Sequence, residues 1–175
     1  MATRAYLDNK PQIHSSCYID ESALVIGKVY ADELASFWPY AVARGDVQSI
    51  SIGKRSNVQD HALLHVTHDS KYNPGGIPLI VEDDVTIGHH ARLHACTIQE
   101  GCIIGIGATI LDKATIGKNT IIAAGSLVPP GKDLEPGYLW MGSPIEKKRK
   151  LTDEDIEFIY YSANNYVNLH KKYRA

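Results

Sequence analysis

The chain has 175 residues, enough for one domain with a continuous core and too few for two ordinary ones. Its 18 basic and 20 acidic residues leave a formal net charge of −2, so no basic excess is available to neutralise phosphates, and a small neutral or anionic ligand is expected rather than a nucleic acid. The start, MATRAYLDNKPQIHSS, has neither an apolar signal core nor an Arg-rich amphipathic stretch, and no later run approaches the length of a membrane span, so a soluble cytoplasmic protein without a membrane partner is expected.

An apolar residue recurs every six positions through Ile13, Ile19, Val25, Ala31, Phe37 and Ala43. A second series runs four residues behind it through Cys17, Ala23, Val29, Ala35, Ala41 and Val47. All twelve positions are apolar in a chain that is 44% hydrophobic overall, which chance does not explain. The rhythm shifts and resumes at Ile52, Val58 and Leu64, then gives way to a loop over about 66–80 containing Asn73-Pro74-Gly75-Gly76. It returns at Val81, Ile87 and Leu93 and runs on through Ile98, Ile104, Ile110, Ile116, Ile122 and Val128. Ile-Gly pairs at Ile52-Gly53, Ile87-Gly88, Ile104-Gly105 and Ile116-Gly117 read as turn-permissive steps.

A period of six fits neither a 3.6-residue helix nor a simple hairpin array, but it suits a short strand followed by a bend. Three such units close a triangular coil. One coil cannot bury its inward residues alone, so coils stack, share a core and pair their backbones about 4.8 Å apart. The expected fold is mainly β, a single-stranded β-helix shaped as a triangular prism over residues 1–145, with a sandwich of short strands as the competing arrangement. Cys17, Cys96 and Cys102 form neither a CxxC pair nor a disulfide framework and are expected to be reduced.

Gly142-Ser143-Pro144 ends the repeat. The run Lys147-Lys148-Arg149-Lys150 reads as a solvated stretch rather than an anion site. Thr152-Asp153-Glu154-Asp155 has the cap and first-turn acids of a helix N-terminus, and Ile156, Ile159, Tyr160, Ala163 and Val167 make one apolar stripe at helical spacing. Residues 146–175 are therefore expected to form a helix and tail packed on the outside of the prism.

The eight histidines are sorted by their place in the repeat. His65 follows Leu64 and His94 follows Leu93, so each stands one residue after an inward position and points outward. With an excursion of 11 residues removed between Leu64 and Val81, Leu93 lies one coil beyond Leu64. His65 and His94 then stack at about 4.8 Å of backbone separation, where two imidazoles can share a tetrahedral ion. His89 lies in the preceding hexad on another face of the triangle. The economical solution is three prisms side by side, with His89 of one chain completing the site formed by His65 and His94 of its neighbour, a heterologous contact that closes as a three-fold ring. Three histidines with one open position make a catalytic rather than a structural zinc geometry.

At this level of detail the chain resembles the gamma-class carbonic anhydrase family over nearly its whole length. The resemblance rests on Arg44-Gly45-Asp46, on Asn57-Val58-Gln59-Asp60 with His65 five residues on, on Ile87-Gly88-His89 with His94 five residues on, and on the Gly142-Ser143-Pro144 exit. It implies left-handed winding, which the residues alone do not give. It also implies His65, His89 and His94 as metal ligands from two subunits, Gln59 orienting the metal-bound water or hydroxide, and Arg44, Asp46 and Asp60 as interface charges beside the site. The implied reaction is the reversible hydration of carbon dioxide to bicarbonate by a metal-bound hydroxide at the interfaces of a homotrimer. Zinc is the expected cofactor, with iron or cobalt acceptable to the same imidazoles. The chain departs from the best-characterised active members, which carry a Glu just after the Arg-Gly-Asp and a proton-shuttling Glu on the loop after the first ligand; here those positions hold Val47 and His68. Histidine ionises near neutrality, so His68 is the candidate substitute shuttle. Two alternatives stay open: an acyltransferase using acyl-CoA and one histidine as general base, and a non-catalytic metal-binding trimer.

Overall fold

The computed structural model describes residues 2–174. Among these residues, mostly short strands wind through about eight turns of a left-handed β-helix, a last strand folds back antiparallel, and one helix closes the chain. Three faces make the prism. The first stacks Leu63–His65, Arg92–His94, Thr109–Ile110 and Leu127–Val128 in parallel on the start of Val42–Ile52. The second runs from Gln12–Ile13 through Leu79–Val81, Thr97–Ile98 and Thr115–Ile116 to Asp133–Leu134. The third runs from Tyr18–Ile19 through Ser36–Phe37, Asn57–Val58, Thr86–Ile87, Ile103–Ile104 and Ile121–Ile122 to Tyr138–Met141. The long strands Leu24–Ala31 and Val42–Ile52 run round one edge and join the first two faces.

The inward series forms one continuous core. Phe37, Leu64, Ile87, Leu93, Ile98, Ile104, Ile110, Ile116 and Ile122 are fully buried, and small residues such as Ala35, Ala62, Ala91 and Ala108 fill the second inward position. Val47 is the exception to the expected pattern, since its side chain is 42% exposed. The pairing of Val29 with Ile50 explains this: the strand register slips between Gly27 and Val29, extra residues bulge out after Gly45, and fully buried Ile50 takes the inward place.

The bends of the later coils have their own six-residue period. Ala95, Gly101, Gly107, Lys113, Asn119, Gly125, Gly131 and Gly137 all have positive φ, the left-handed conformation that turns the chain from one face to the next. The glycines of the Ile-Gly pairs open turns as expected, with the Gly105 and Gly88 carbonyls each accepting from the amide three residues on at 3.1 Å, and they have a second purpose. A Cβ on Gly105 would lie 2.5 Å from the Ala124 amide nitrogen and 2.6 Å from the Ile122 carbonyl oxygen, and one on Gly117 would lie 2.7 Å from the Leu134 carbonyl oxygen. These glycines let one coil sit directly on the next. Gly105→Ala is expected to cost about 1–3 kcal/mol by overpacking, read as a lowered denaturant midpoint with an unchanged slope.

The excursion leaves the prism after Val66, and its base is closed by reciprocal backbone hydrogen bonds between Thr67 and Ile77 at 3.1 and 2.9 Å. Gln48 Nε2 donates to the Gly75 carbonyl at 2.7 Å and ties the loop tip back to the bulged strand. Past Gly142, residues Glu146–Lys150 pair antiparallel with Tyr138–Met141. The basic run is thus a solvated edge strand, with its charges paired locally as Lys147–Glu135 at 2.8 Å and Arg149–Asp155 at 2.5 Å. No helix among the described residues is long and apolar enough to cross a membrane.

Thr152 caps the helix Asp153–Tyr173, accepting from the Asp155 amide while the Asp155 side chain accepts from the Thr152 amide. Ile159, Ala163 and Val167 are buried against the third face, and Ser162 Oγ lies 3.1 Å from Thr86 Oγ1. At the far end, Trp38 makes edge contacts with Tyr166 and Tyr173 at 5.3 Å between ring centres, and His170 stacks on Tyr18 at 6.4 Å. Among the described residues, His170 Nδ1 is buried without a hydrogen-bond partner. Burial, aided by the positive charges of Arg174 and Lys171, holds its pKa below the ordinary 6.5. Above that value His170 is neutral whether folded or unfolded. Below it the unfolded chain takes up a proton that the folded chain resists, so stability is lost as the pH falls. His170→Phe should remove this component, which is worth up to about 1.4 kcal/mol per pH unit. Unfolding midpoints of both proteins in neutral and mildly acidic buffer check it, and equal acid sensitivity would contradict it.

Candidate metal centre

His65 and His94 are the last residues of Leu63–His65 and Arg92–His94, and the register places them directly opposite each other on neighbouring coils. Leu64 and Leu93 beside them are buried, so strand alternation turns both imidazoles outward. Their rings lie 5.1 Å apart, and His65 Nδ1 faces His94 Nε2 at 3.1 Å.

The outer nitrogens of the pair belong to carboxylates. His65 Nε2 lies 3.1 Å from Asp46 Oδ1, and Asp46 is also held by the Arg44 guanidinium. His94 Nδ1 lies 2.9 Å from Asp112 Oδ2, and the Thr67 hydroxyl donates to Asp112 Oδ1 at 2.5 Å. Burial pushes the Asp46 carboxyl up, but hydrogen bonds from Arg44 and His65 leave it below the ordinary carboxylate value. Burial acts on Asp112 in the same direction, and Thr67 and His94 outweigh it. Burial, reinforced by the charges of Arg44 and His94, holds the His65 imidazole below its ordinary value despite the Asp46 hydrogen bond. Ionised carboxylates accept only, so the outer nitrogens carry the ring protons and the two facing nitrogens present lone pairs. Two bare acceptors at 3.1 Å repel unless a proton or cation lies between them. Two nitrogens bound at about 2.0–2.1 Å to one tetrahedral ion are about 3.3 Å apart, so the pair fits a shared metal.

His89 follows Thr86–Ile87 on the third face, and its Nδ1 lies 2.9 Å from Asp60 Oδ2, leaving Nε2 as the nitrogen that a cation could take. Within the single chain it does not join the other two; among the described residues no group of three or more His, Cys, Asp or Glu side chains is gathered to hold a metal. Gln59 is buried, and its Nε2 donates to Asn57 Oδ1 at 3.1 Å; Asn57 Nδ2 donates in turn to Thr86 Oγ1 at 3.0 Å. His68 is exposed at the start of the excursion. His61 and His90 are exposed; His61 stacks on Tyr40 at 5.0 Å between ring centres, and His90 stacks on the His61 ring at 4.8 Å.

The structure therefore gathers Arg44, Asp46, His65 and His94 on one edge and Asp60 with His89 on another, while Gln59 and His68 join neither group. Asp112 and Thr67 are the members that sequence reasoning missed. Carrying the coil count one turn past His94 reaches Leu111, one residue before Asp112, which would have brought the carboxylate into view, but no spacing points to the Thr67 hydroxyl. Beside the pair lies a cleft of about 270 Å³ lined by Leu63, Arg92, Thr109 and Asp112. A larger groove of about 560 Å³ opens elsewhere, along Ile13, Tyr30 and Asp32, and the histidine pair is not part of it.

Stacked hexads with an outward histidine pair define a left-handed β-helix of the hexapeptide-repeat class. The family model described as bacterial transferase hexapeptide (six repeats) matches residues 95–130. The protein YrdA of Escherichia coli (strain K12) is 48% identical over 170 residues, covering 97% of this chain and 92% of the relative. A carbonic anhydrase of Geobacillus kaustophilus is 39% identical, covering 97% and 90%, and the mitochondrial gamma carbonic anhydrase 2 of Arabidopsis thaliana is 42% identical, covering 93% and 58%. Among solved structures, a candidate acetyltransferase from Bacillus cereus superposes with a TM-score of 0.91 at 41% identity, covering 98% of this chain and 95% of that one. The chain belongs to the gamma-class carbonic anhydrase-like family of hexapeptide-repeat proteins.

Proposed function

We propose that this protein is a homotrimeric, metal-dependent carbonic anhydrase that converts carbon dioxide and bicarbonate at the boundaries between protomers. The observation that carries the reading is the His65–His94 pair, whose facing nitrogens lie 3.1 Å apart while each outer nitrogen lies within hydrogen-bond distance of a carboxylate. His89 has the same dressing from Asp60 but sits on another face, so a second copy is the natural source of the third ligand. Zinc is the metal proposed, and iron(II) and cobalt(II) suit the same donors. Such an ion supplies Lewis acidity that lowers the pKa of water toward neutrality.

The chain's own groups divide the remaining work. Asp46, Asp60 and Asp112 hold the three imidazoles, and Arg44 neutralises and orients Asp46. Gln59, whose amide is already oriented by Asn57, positions the reacting water across the interface. His68, exposed on the loop that starts two residues after His65, carries the released proton toward bulk solvent.

Purified protein is expected to hold about one ion per chain, lost in each of His65→Ala, His89→Ala and His94→Ala, because three ligands complete one open site. Stopped-flow carbon dioxide hydration should follow the metal content, tested separately with zinc, iron(II) and cobalt(II). A metal-free trimer that binds acetyl-CoA would replace this reading with an acyltransferase, which the likeness to the Bacillus cereus structure favours. A metal-loaded trimer without hydration at any pH would leave only a non-catalytic metal-binding protein. For the shuttle, His68→Ala should slow turnover in dilute buffer by about 10²-fold and recover in concentrated imidazole. Identical turnover and buffer dependence in the two proteins would remove His68 from the mechanism.

A further inference from the structure

Four consecutive coils contribute Asp46, His65, His94 and Asp112 to one chain of side chains along one edge, linked at 3.1, 3.1 and 2.9 Å. The lower carboxylate is part of the Arg44-Gly45-Asp46 motif. The upper one has no such motif, yet it is as well held. Its Oδ2 takes the His94 Nδ1 proton and its Oδ1 takes the Thr67 hydroxyl, so both oxygens are engaged and the carboxylate plane is fixed. Thr67 is fixed in turn, because its amide and carbonyl form the reciprocal bridge to Ile77 that closes the base of the excursion.

An imidazole on an outward, partly exposed side chain can turn about its χ2 bond and offer either nitrogen. For His94 to meet His65 through Nε2, something must hold Nδ1. Asp112 lies at that atom, and the loop base holds Asp112. We propose that Asp112 and Thr67 are positioning residues for the metal centre: the Thr67 hydroxyl orients the Asp112 carboxylate, and Asp112 fixes His94 with Nε2 toward the ion. This rests on the metal-binding reading of the histidine pair. It adds that the excursion loop is a structural part of the site, because its first hydrogen-bonded residue secures a ligand's partner.

The test uses the full-length protein and zinc, with affinity measured by competition against a chromophoric chelator, and cobalt(II) as the spectroscopic probe. Asp112→Ala should weaken zinc binding by about 10- to 100-fold, and Asp112→Asn, which keeps an acceptor oxygen for Nδ1, should restore much of the loss. Thr67→Val should weaken binding less and in the same direction, while shifting the cobalt(II) absorption bands. Imidazole ¹⁵N shifts of His94 should show a single tautomer in the parent protein and a mixture in Asp112→Ala. If the parent protein binds zinc and Asp112→Ala binds it equally well with the same cobalt spectrum and tautomer, the positioning role is wrong and the metal reading stands. If the parent protein binds neither metal, the underlying reading falls and this inference falls with it. Circular dichroism on each variant separates these outcomes from misfolding, and Asp112→Asn keeps the test decisive if Asp112→Ala does not fold.

Discussion

Consecutive coils sit one strand spacing apart, about 4.8 Å, and the candidate site depends on keeping that distance. The inward aliphatic residues favour stacking, while Gly105 and Gly117 remove the Cβ atoms that would prop neighbouring coils apart. Positive φ at successive bends repeats the turn every six residues. Together they hold His65 and His94 on neighbouring rungs with only side-chain reach left to adjust. A β-sheet edge with looser pairing would let two imidazoles drift, whereas here each is carried by a strand whose flanking leucine is locked in the core.

The two insertions into the repeat both serve the histidine edge. The bulge after Gly45 takes Val47 out of the core, brings Asp46 to His65 Nε2, and provides Gln48 as a tether for the loop. The excursion between Val66 and Leu79 leaves the stacking register of Leu64 on Leu93 unchanged, and its base supplies Thr67 to Asp112. Regular coils build the scaffold, and the irregular segments carry Asp46 and Thr67, which hold the histidine edge. This division is common where a rigid frame positions function carried on loops.

The carboxylates explain why a pair of partly exposed histidines is more than a surface feature. Each of His65, His89 and His94 has one ring nitrogen within hydrogen-bond distance of an aspartate, which leaves the other nitrogen of each ring as the one that the proposed metal would take. The opposite end of the molecule uses histidine differently. His170 is buried against Tyr18 where the helix docks, and among the described residues its Nδ1 has no hydrogen-bond partner.

Periodic features were legible in the residues themselves. The hexads exposed the prism, the Thr152 cap and its helix, and the phase that stacks His65 on His94, because a repeat of fixed length converts sequence distance directly into height along an axis. The handedness came from family likeness, since inward-facing periodicity is the same for either hand. Tertiary structure alone decided that Val47 lies outside the core, that the Ile-Gly glycines also permit close coil contact, and that the Thr67 hydroxyl reaches Asp112. Val47 and Thr67 lie where the chain breaks its own period: at a bulge or a loop, sequence distance no longer measures position, and which side chains meet is set by neighbouring coils.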